Sequence, residues 1–175
     1  MQKQIVFLTS LLLAFTVLAA CQEKKPLSPP AQAQCKFSDG KTLTINYSSP
    51  RAKGRKIFGD LVPYGQVWRT GANNATTFVS DANLTVGGKN IPAGSYTIFT
   101  VPNADKWTLI INKKTGEWGI PYKYEADELA RVDMKVSSTS APVENFTIAL
   151  ASMGGSCTLN ISWENTQASV SIGEK

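Results

Sequence analysis

The chain has 175 residues with a formal charge of +5, contains 18 Lys and Arg against 13 Asp and Glu, and has no histidine. The missing histidine excludes Ser-His-Asp and Cys-His catalysis and His-based metal sites. Part of the positive charge lies in the first 25 residues, the rest shows no block of like charges and no recognition-helix pattern, and no nucleic-acid partner is expected.

At the N-terminus, Lys3 precedes an apolar run from Ile5 to Ala20 that ends in Leu18-Ala19-Ala20-Cys21. The length suits the core of an export signal better than a membrane-spanning helix with its own anchors. Small residues before a cysteine resemble the lipobox of bacterial lipoproteins, in which the cysteine is acylated and becomes the first residue of the mature chain. A plain signal peptide with an incidental cysteine, or an uncleaved anchor, is the alternative. The first reading divides the chain into a lipoprotein signal peptide at 1–20, a Pro-rich flexible tether at 21–34 and one domain at 35–175. It implies a membrane partner through the lipid on Cys21 and a place in the cell envelope facing the periplasm or the exterior. With Cys21 acylated, Cys35 and Cys157 remain. Outside the cytoplasm an even remainder suggests a disulfide, with two separate buried thiols as the alternative.

From residue 40 onward the apolar period is two rather than 3.6. Leu43, Ile45 and Tyr47 alternate with polar residues, as do Trp107, Leu109 and Ile111, then Val132, Met134 and Val136. Phe146, Ile148 and Leu150 repeat the pattern; Cys157, Leu159, Ile161 and Trp163 continue it; Ala168, Val170 and Ile172 close it. Tyr96 and Ile98 face one way, Phe99 and Val101 the other. Turn signals separate the runs at Gly87-Gly88, Pro102–Asp105 and Met153–Ser156. Only Tyr124–Arg131 has room for a helical turn. The expected fold is an all-β antiparallel sandwich, a single domain with one long ordered loop, in which each sheet buries one face and leaves the other polar.

Residues 50–75 break the alternation. Gly54, Gly59, Gly65 and Gly71 punctuate a stretch holding Phe58, Tyr64 and Trp68 together with Arg51, Arg55 and Arg69. This reads as a long ordered loop packed by its own aromatics, a common place for function on a β scaffold. The run GRKIFGDLVPYGQVWRTGANNAT at 54–76 resembles the signature of a bacterial domain family of unknown function found in exported proteins and lipoproteins. IPAGSYTIFTVP at 91–102, WTLIINK at 107–113, and a WG followed by tyrosine, aspartate and arginine within 118–131 extend the resemblance over most of the domain. It implies an exported domain and carries no activity with it.

Candidate ligand-binding residues are Arg55, Trp68, Arg69, Asn73, Asn74, Trp118, Tyr122 and Arg131. Guanidinium groups hold carboxylate, phosphate or sulfate bidentately, amides donate and accept, and aromatic rings give a stacking wall. Each also has a structural reading. Arg69 can pair with Asp60 or Asp127, Arg131 with Asp127, the tryptophans can fill the core edge, and Asn73-Asn74 can make a turn. No catalytic residue, metal ligand or cofactor is indicated. Gly87-Gly88-Lys89 lacks the spacing of a phosphate-binding loop. The leading reading is a non-enzymatic module for a small polar or glycan ligand. One alternative is a His-independent hydrolase of envelope or extracellular carbohydrate, built on acids such as Glu117, Asp127 and Glu128. Another is a structural subunit of an envelope complex.

Overall fold

The computed structural model describes residues 26–175, and residues 1–20, Cys21 and the first part of the tether lie outside the described residues. Nine strands follow in chain order: β1 (Pro30–Lys36), β2 (Thr42–Ser48), β3 (Thr76–Ser80), β4 (Leu84–Val86), β5 (Lys89–Ile91), β6 (Gly94–Val101), β7 (Lys106–Asn112), β8 (Glu128–Met153) and β9 (Ser156–Glu174). The 3-10 turn Glu125–Asp127 falls inside the stretch read as a helical turn. β1 begins at Pro30, so the last residues of the expected tether are already strand, paired from Pro30 opposite Ser48 to Lys36 opposite Thr42. Pro30 stands first in an edge strand, where its missing N–H costs the ladder nothing.

All nine strands form one antiparallel sheet in the order β1-β2-β3-β6-β7-β8-β9-β4-β5. The sheet must roll over on itself. Only residues 81–83 separate β3 from β4, a reach of roughly 14 Å from Ser80 to Leu84. In a flat sheet these strands, five places apart in the order, would be roughly 24 Å from each other. Cys35 on β1 and Cys157 on β9 stand six places apart in that order, yet they form a disulfide with a Cα–Cα distance of 6.4 Å. The two facing layers expected of a sandwich are thus two parts of one continuous sheet.

The bend lies in the longest ladder. β8 and β9 pair regularly from Lys135 opposite Ser169 to Ser138 opposite Thr166, lose register around Val143, and pair again from Thr147 opposite Ser162 to Met153 opposite Ser156. Such bulges sharpen strand twist and turn a sheet. Beyond β2 the chain crosses to the bent arm of β8: the Phe146 amide donates to Pro50 O at 2.9 Å and the Ala52 amide to Glu144 O at 2.8 Å.

Alternate residues of nearly every strand enter one core, with Leu43, Ile45, Phe78, Ile98, Leu109, Leu159 and Ile161 fully buried. Among the described residues its buried members run from Ala33 to Ile172. The outer face of β6 and β7 departs from the expected polar surface. Phe99 and Ile110 point away from the main core but are buried under the loop after β7, packed with Ala75, Tyr122 and Tyr124. The WG-containing stretch is thus a cover for a second small core. Gly119, at φ 91°, is the close contact: a Cβ there would stand 2.9 Å from Ala75 Cβ and 3.0 Å from Phe99.

Candidate functional site

Segment 50–75 is anchored by apolar residues that reach into the main core. Ile57 is fully buried, and Phe58 and Val62 nearly so. The intervening turn is closed by Gly59 N–H to Val62 O and Val62 N–H to Ile57 O, both 2.9 Å. Gly59 has φ 85°, a conformation L side chains rarely adopt, and a Cβ there would stand 2.8 Å from the Tyr64 ring. The Glu164 carboxylate on β9 accepts the Ile57 amide at 3.1 Å. Glu164 itself sits at φ 53°, opposite Val143 where the β8–β9 ladder loses register, so the bend and the segment are pinned together.

Trp68 takes the ladder position beyond the end of β3, exchanging backbone hydrogen bonds with Thr100 at 2.8 and 2.9 Å. Its indole stacks on Trp163 (centroids 6.0 Å apart, planes 16° apart) and meets Phe146, Phe58 and Trp107 edge-on. The indole N–H donates to Gly71 O at 3.1 Å. Thr70 is fully buried at φ 56°, a conformation that β-branched residues rarely adopt. Its hydroxyl meets that of Thr100 at 3.1 Å and its carbonyl accepts from Thr76 Oγ1 at 2.7 Å. Backbone strain of this kind costs on the order of 1–3 kcal/mol and collects at binding sites.

Beside this wall lies a groove of about 550 Å³, within the range of small-molecule sites. Trp68, Trp163 and Val62 line it with apolar surface, and Leu27, Leu61 and Ile120 are exposed apolar residues beside them. Four cationic residues also line it: Arg51, Lys53, Arg55 and Arg69. The lining includes no carboxylate, and among the described residues none of the four is in an ion pair. The side-chain partners of the three arginines are neutral, and the Lys53 backbone amide donates to the Glu144 carboxylate at 3.0 Å. Arg55 donates to Ala52 O at 3.0 Å and Arg51 O at 2.7 Å. Arg51 donates to Ser49 O and Ser49 Oγ, both 3.1 Å. Arg69 lies over the Trp118 ring, 4.7 Å from its centroid, and reaches Trp118 O at 3.5 Å. Its partial burial lowers its pKa from the usual arginine value, and a guanidinium still keeps its proton in a protein. Guanidinium groups held by neutral oxygens and a π-face retain a net attraction for an anion.

The eight candidate residues therefore divide. Arg55, Trp68 and Arg69 share the groove, and Trp118 stands behind Arg69 without lining it. Arg69 pairs with neither Asp60 nor Asp127; the indole takes their place. Asn73 is a turn residue at φ 58°, donating to Ser48 Oγ at 3.2 Å and Ser28 O at 3.4 Å, and Asn74 is exposed beside it.

Tyr122 and Arg131 belong to a separate, closed network. Arg131 grips Glu128, not Asp127, through two hydrogen bonds of 2.7 Å. Tyr122 donates to the same carboxylate at 2.7 Å, and the fully buried Asn112 donates to Tyr122 Oη at 3.2 Å and Tyr124 O at 2.7 Å. The Arg131 hydrogen bonds, with help from Tyr122, hold the Glu128 carboxyl below its usual value, while burial and the neighbouring carboxylate push the Tyr122 hydroxyl up. The network pins the loop over the Phe99 core. Lys53 and Ile120 were not singled out from the sequence, and Arg51 and Trp163 were read there only as a loop residue and a strand residue. The only hint was the spacing of Arg51, Lys53, Arg55 and Lys56, in which four of six residues are basic.

Because Glu128 has a depressed folded-state pKa, its contribution is present above the ordinary carboxylate pKa of 4.5 and lost as pH falls through the folded value. Glu128→Gln is expected to cost about 1–3 kcal/mol near neutral pH, with the gap to the parent closing below pH ~4. Urea unfolding across pH checks this; a gap that stays constant down to pH ~2.5 contradicts it.

Among the described residues no group of three or more His, Cys, Asp or Glu could hold a metal, and no helix is long and apolar enough to cross a membrane. Fold and site together define an all-β, disulfide-closed domain carrying a cationic, indole-walled groove. Residues 28–172 match the model of the family described as a protein of unknown function (DUF2911), and the chain belongs to that family. No curated protein and no solved structure matches it.

Proposed function

We propose that the protein is a lipid-anchored component of the bacterial cell envelope whose domain binds, without transforming it, a small polar or glycan ligand bearing an anionic group. One observation carries the binding reading: four cationic side chains, none of them in an ion pair among the described residues, line a groove walled by Trp68 and Trp163. A carboxylate, phosphate or sulfate takes the cations, and the apolar face of the ligand takes the rings. The hydrolase alternative needs two facing carboxyls, and the groove is lined by none. The Cys35–Cys157 disulfide supports export to an oxidising compartment. The acyl chains on Cys21 hold the domain at a membrane.

Titration with sugar acids and sugar phosphates against their neutral parents tests the binding. The anionic members are expected to bind about tenfold or more tightly, with affinity falling as salt rises, and Arg69→Gln to remove most of the difference. Equal binding of charged and neutral sugars would sink the reading. For the anchor, labelled fatty acid is expected to enter the parent protein and not Cys21→Ala; equal label in both contradicts it.

A further inference from the structure

We infer that the groove is a headgroup-docking surface: its cations take the phosphodiester of anionic phospholipids in the membrane that holds the anchor. The inference rests on the groove being a ligand site and names what fills it. Three observations point to a bilayer surface rather than to a free solute.

The first is where the chain enters the domain. Leu27 and Ser28 are themselves part of the groove wall. Leu27 follows Cys21 by six residues, a span of at most about 20 Å of extended chain. An acylated Cys21 therefore keeps the groove within that distance of the lipid headgroups. The second is apolar exposure. Of the six large apolar side chains exposed on the described surface, Leu27, Leu61 and Ile120 line the groove, and Trp118 stacks against its Arg69. Leu27 is 79 % exposed and Trp118 55 %. Aliphatic and indole side chains beside cations suit an interface where phosphates and the first acyl carbons meet. The third is charge. Among the described residues the side chains of Arg51, Lys53, Arg55 and Arg69 are in no ion pair, and Lys56 adds a further cation on the same segment. Anionic lipid surfaces attract such clusters within a Debye length.

The test uses residues 26–175 without the anchor, a span that holds the core from Ala33 to Ile172 and the Cys35–Cys157 disulfide, with its folding verified by circular dichroism. Binding is measured to vesicles of phosphatidylcholine alone and to vesicles containing one-third phosphatidylglycerol, with glycerol phosphate as the soluble probe. Partitioning onto the phosphatidylglycerol vesicles is expected to exceed that onto phosphatidylcholine by at least tenfold and to fall with salt. The combined variant R51Q/R55Q/R69Q is expected to lose that preference, while K89Q/K135Q, which removes charge outside the groove, retains it. Arg51 and Arg55 also brace the loop, so Lys53→Glu is the second variant. Its side chain is exposed, and it is expected to lower partitioning about fivefold or more with the fold intact by circular dichroism. Binding of glycerol phosphate without preference for anionic vesicles overturns this inference and leaves the ligand-site reading standing. Binding of neither overturns both. Equal loss in K89Q/K135Q reduces the effect to overall charge and also overturns it.

Discussion

Phe58→Ala is expected to destabilise the domain by about 3–5 kcal/mol and to abolish ligand binding at the groove. Phe58 joins the irregular segment to the sheet. Its ring lies 4.7 Å from that of Trp107 in an edge-on contact and also meets Trp68 at 6.0 Å and Trp163 at 6.4 Å. Alanine leaves a void among three aromatic rings, fixed in part by backbone ladders that cannot collapse into it. The Trp68–Trp163 stack loses its lateral support, and the groove wall loosens with it. Phe58→Leu keeps most of the volume and is expected to cost under about 1.5 kcal/mol and retain binding. Urea unfolding read by tryptophan emission gives the first quantity, and anion titration the second. An alanine variant with near-parent stability would mean that the segment does not depend on this contact.

Replacing both Cys35 and Cys157 by alanine is expected to cost up to about 5 kcal/mol in the chain-entropy account, and to lower the melting temperature by roughly 10–20 °C. The bridge closes a separation of 122 residues, and each doubling of a loop adds only a fraction of a kcal/mol to the unfolded chain's freedom. Its position matters more than its length. It joins β1, the first edge of the sheet, to β9 across the roll. Without it the β1 end is held to the rest by the β2 ladder and by side-chain packing alone, so β1 amides are expected to exchange faster than those of β6 and β7. Hydrogen exchange on the double variant reads this directly. Uniform protection across all strands would show that the covalent tie is redundant.

The strands that bury one face and wet the other were legible from alternation alone. Leu43 to Tyr47, Trp107 to Ile111 and Cys157 to Trp163 read correctly because side-chain direction in a strand depends only on local parity. The hairpins at Pro102–Asp105 and Met153–Ser156 were legible for the same local reason. The first strand was obscured by Pro29 and Pro30, which composition assigns to a linker although an edge strand tolerates a leading proline. The burial of Phe99 and Ile110 was not legible either. Parity placed Phe99 on the outer face, and nothing in its neighbourhood announces that a loop from beyond β7 will cover it. The roll of the sheet brings together strands five or six places apart, and such an approach leaves no trace in any window of residues.

The candidate site was legible as a segment and only partly as a set of groups. Glycines and aromatics at 50–75 marked an ordered loop. The division between Arg69 in the groove and Arg131 in a closed network depends on distances: Arg131 has Glu128 three residues earlier in a geometry that takes both carboxylate oxygens. Arg69 has Trp118, 49 positions away. Trp163 looked like one more core residue of β9, and in the structure its ring is at once core and groove wall.

The most direct test of the groove is a site-resolved anion titration. With glycerol phosphate added to isotope-labelled protein, the side-chain N–H signals of Arg51, Arg55 and Arg69 and the indole N–H of Trp68 and Trp163 are expected to shift together along one saturable curve, while the Arg131 Nε–H, locked on Glu128, stays still. Shifts scattered over surface lysines without saturation, or an Arg131 response equal to that of Arg69, would contradict a single built anion site.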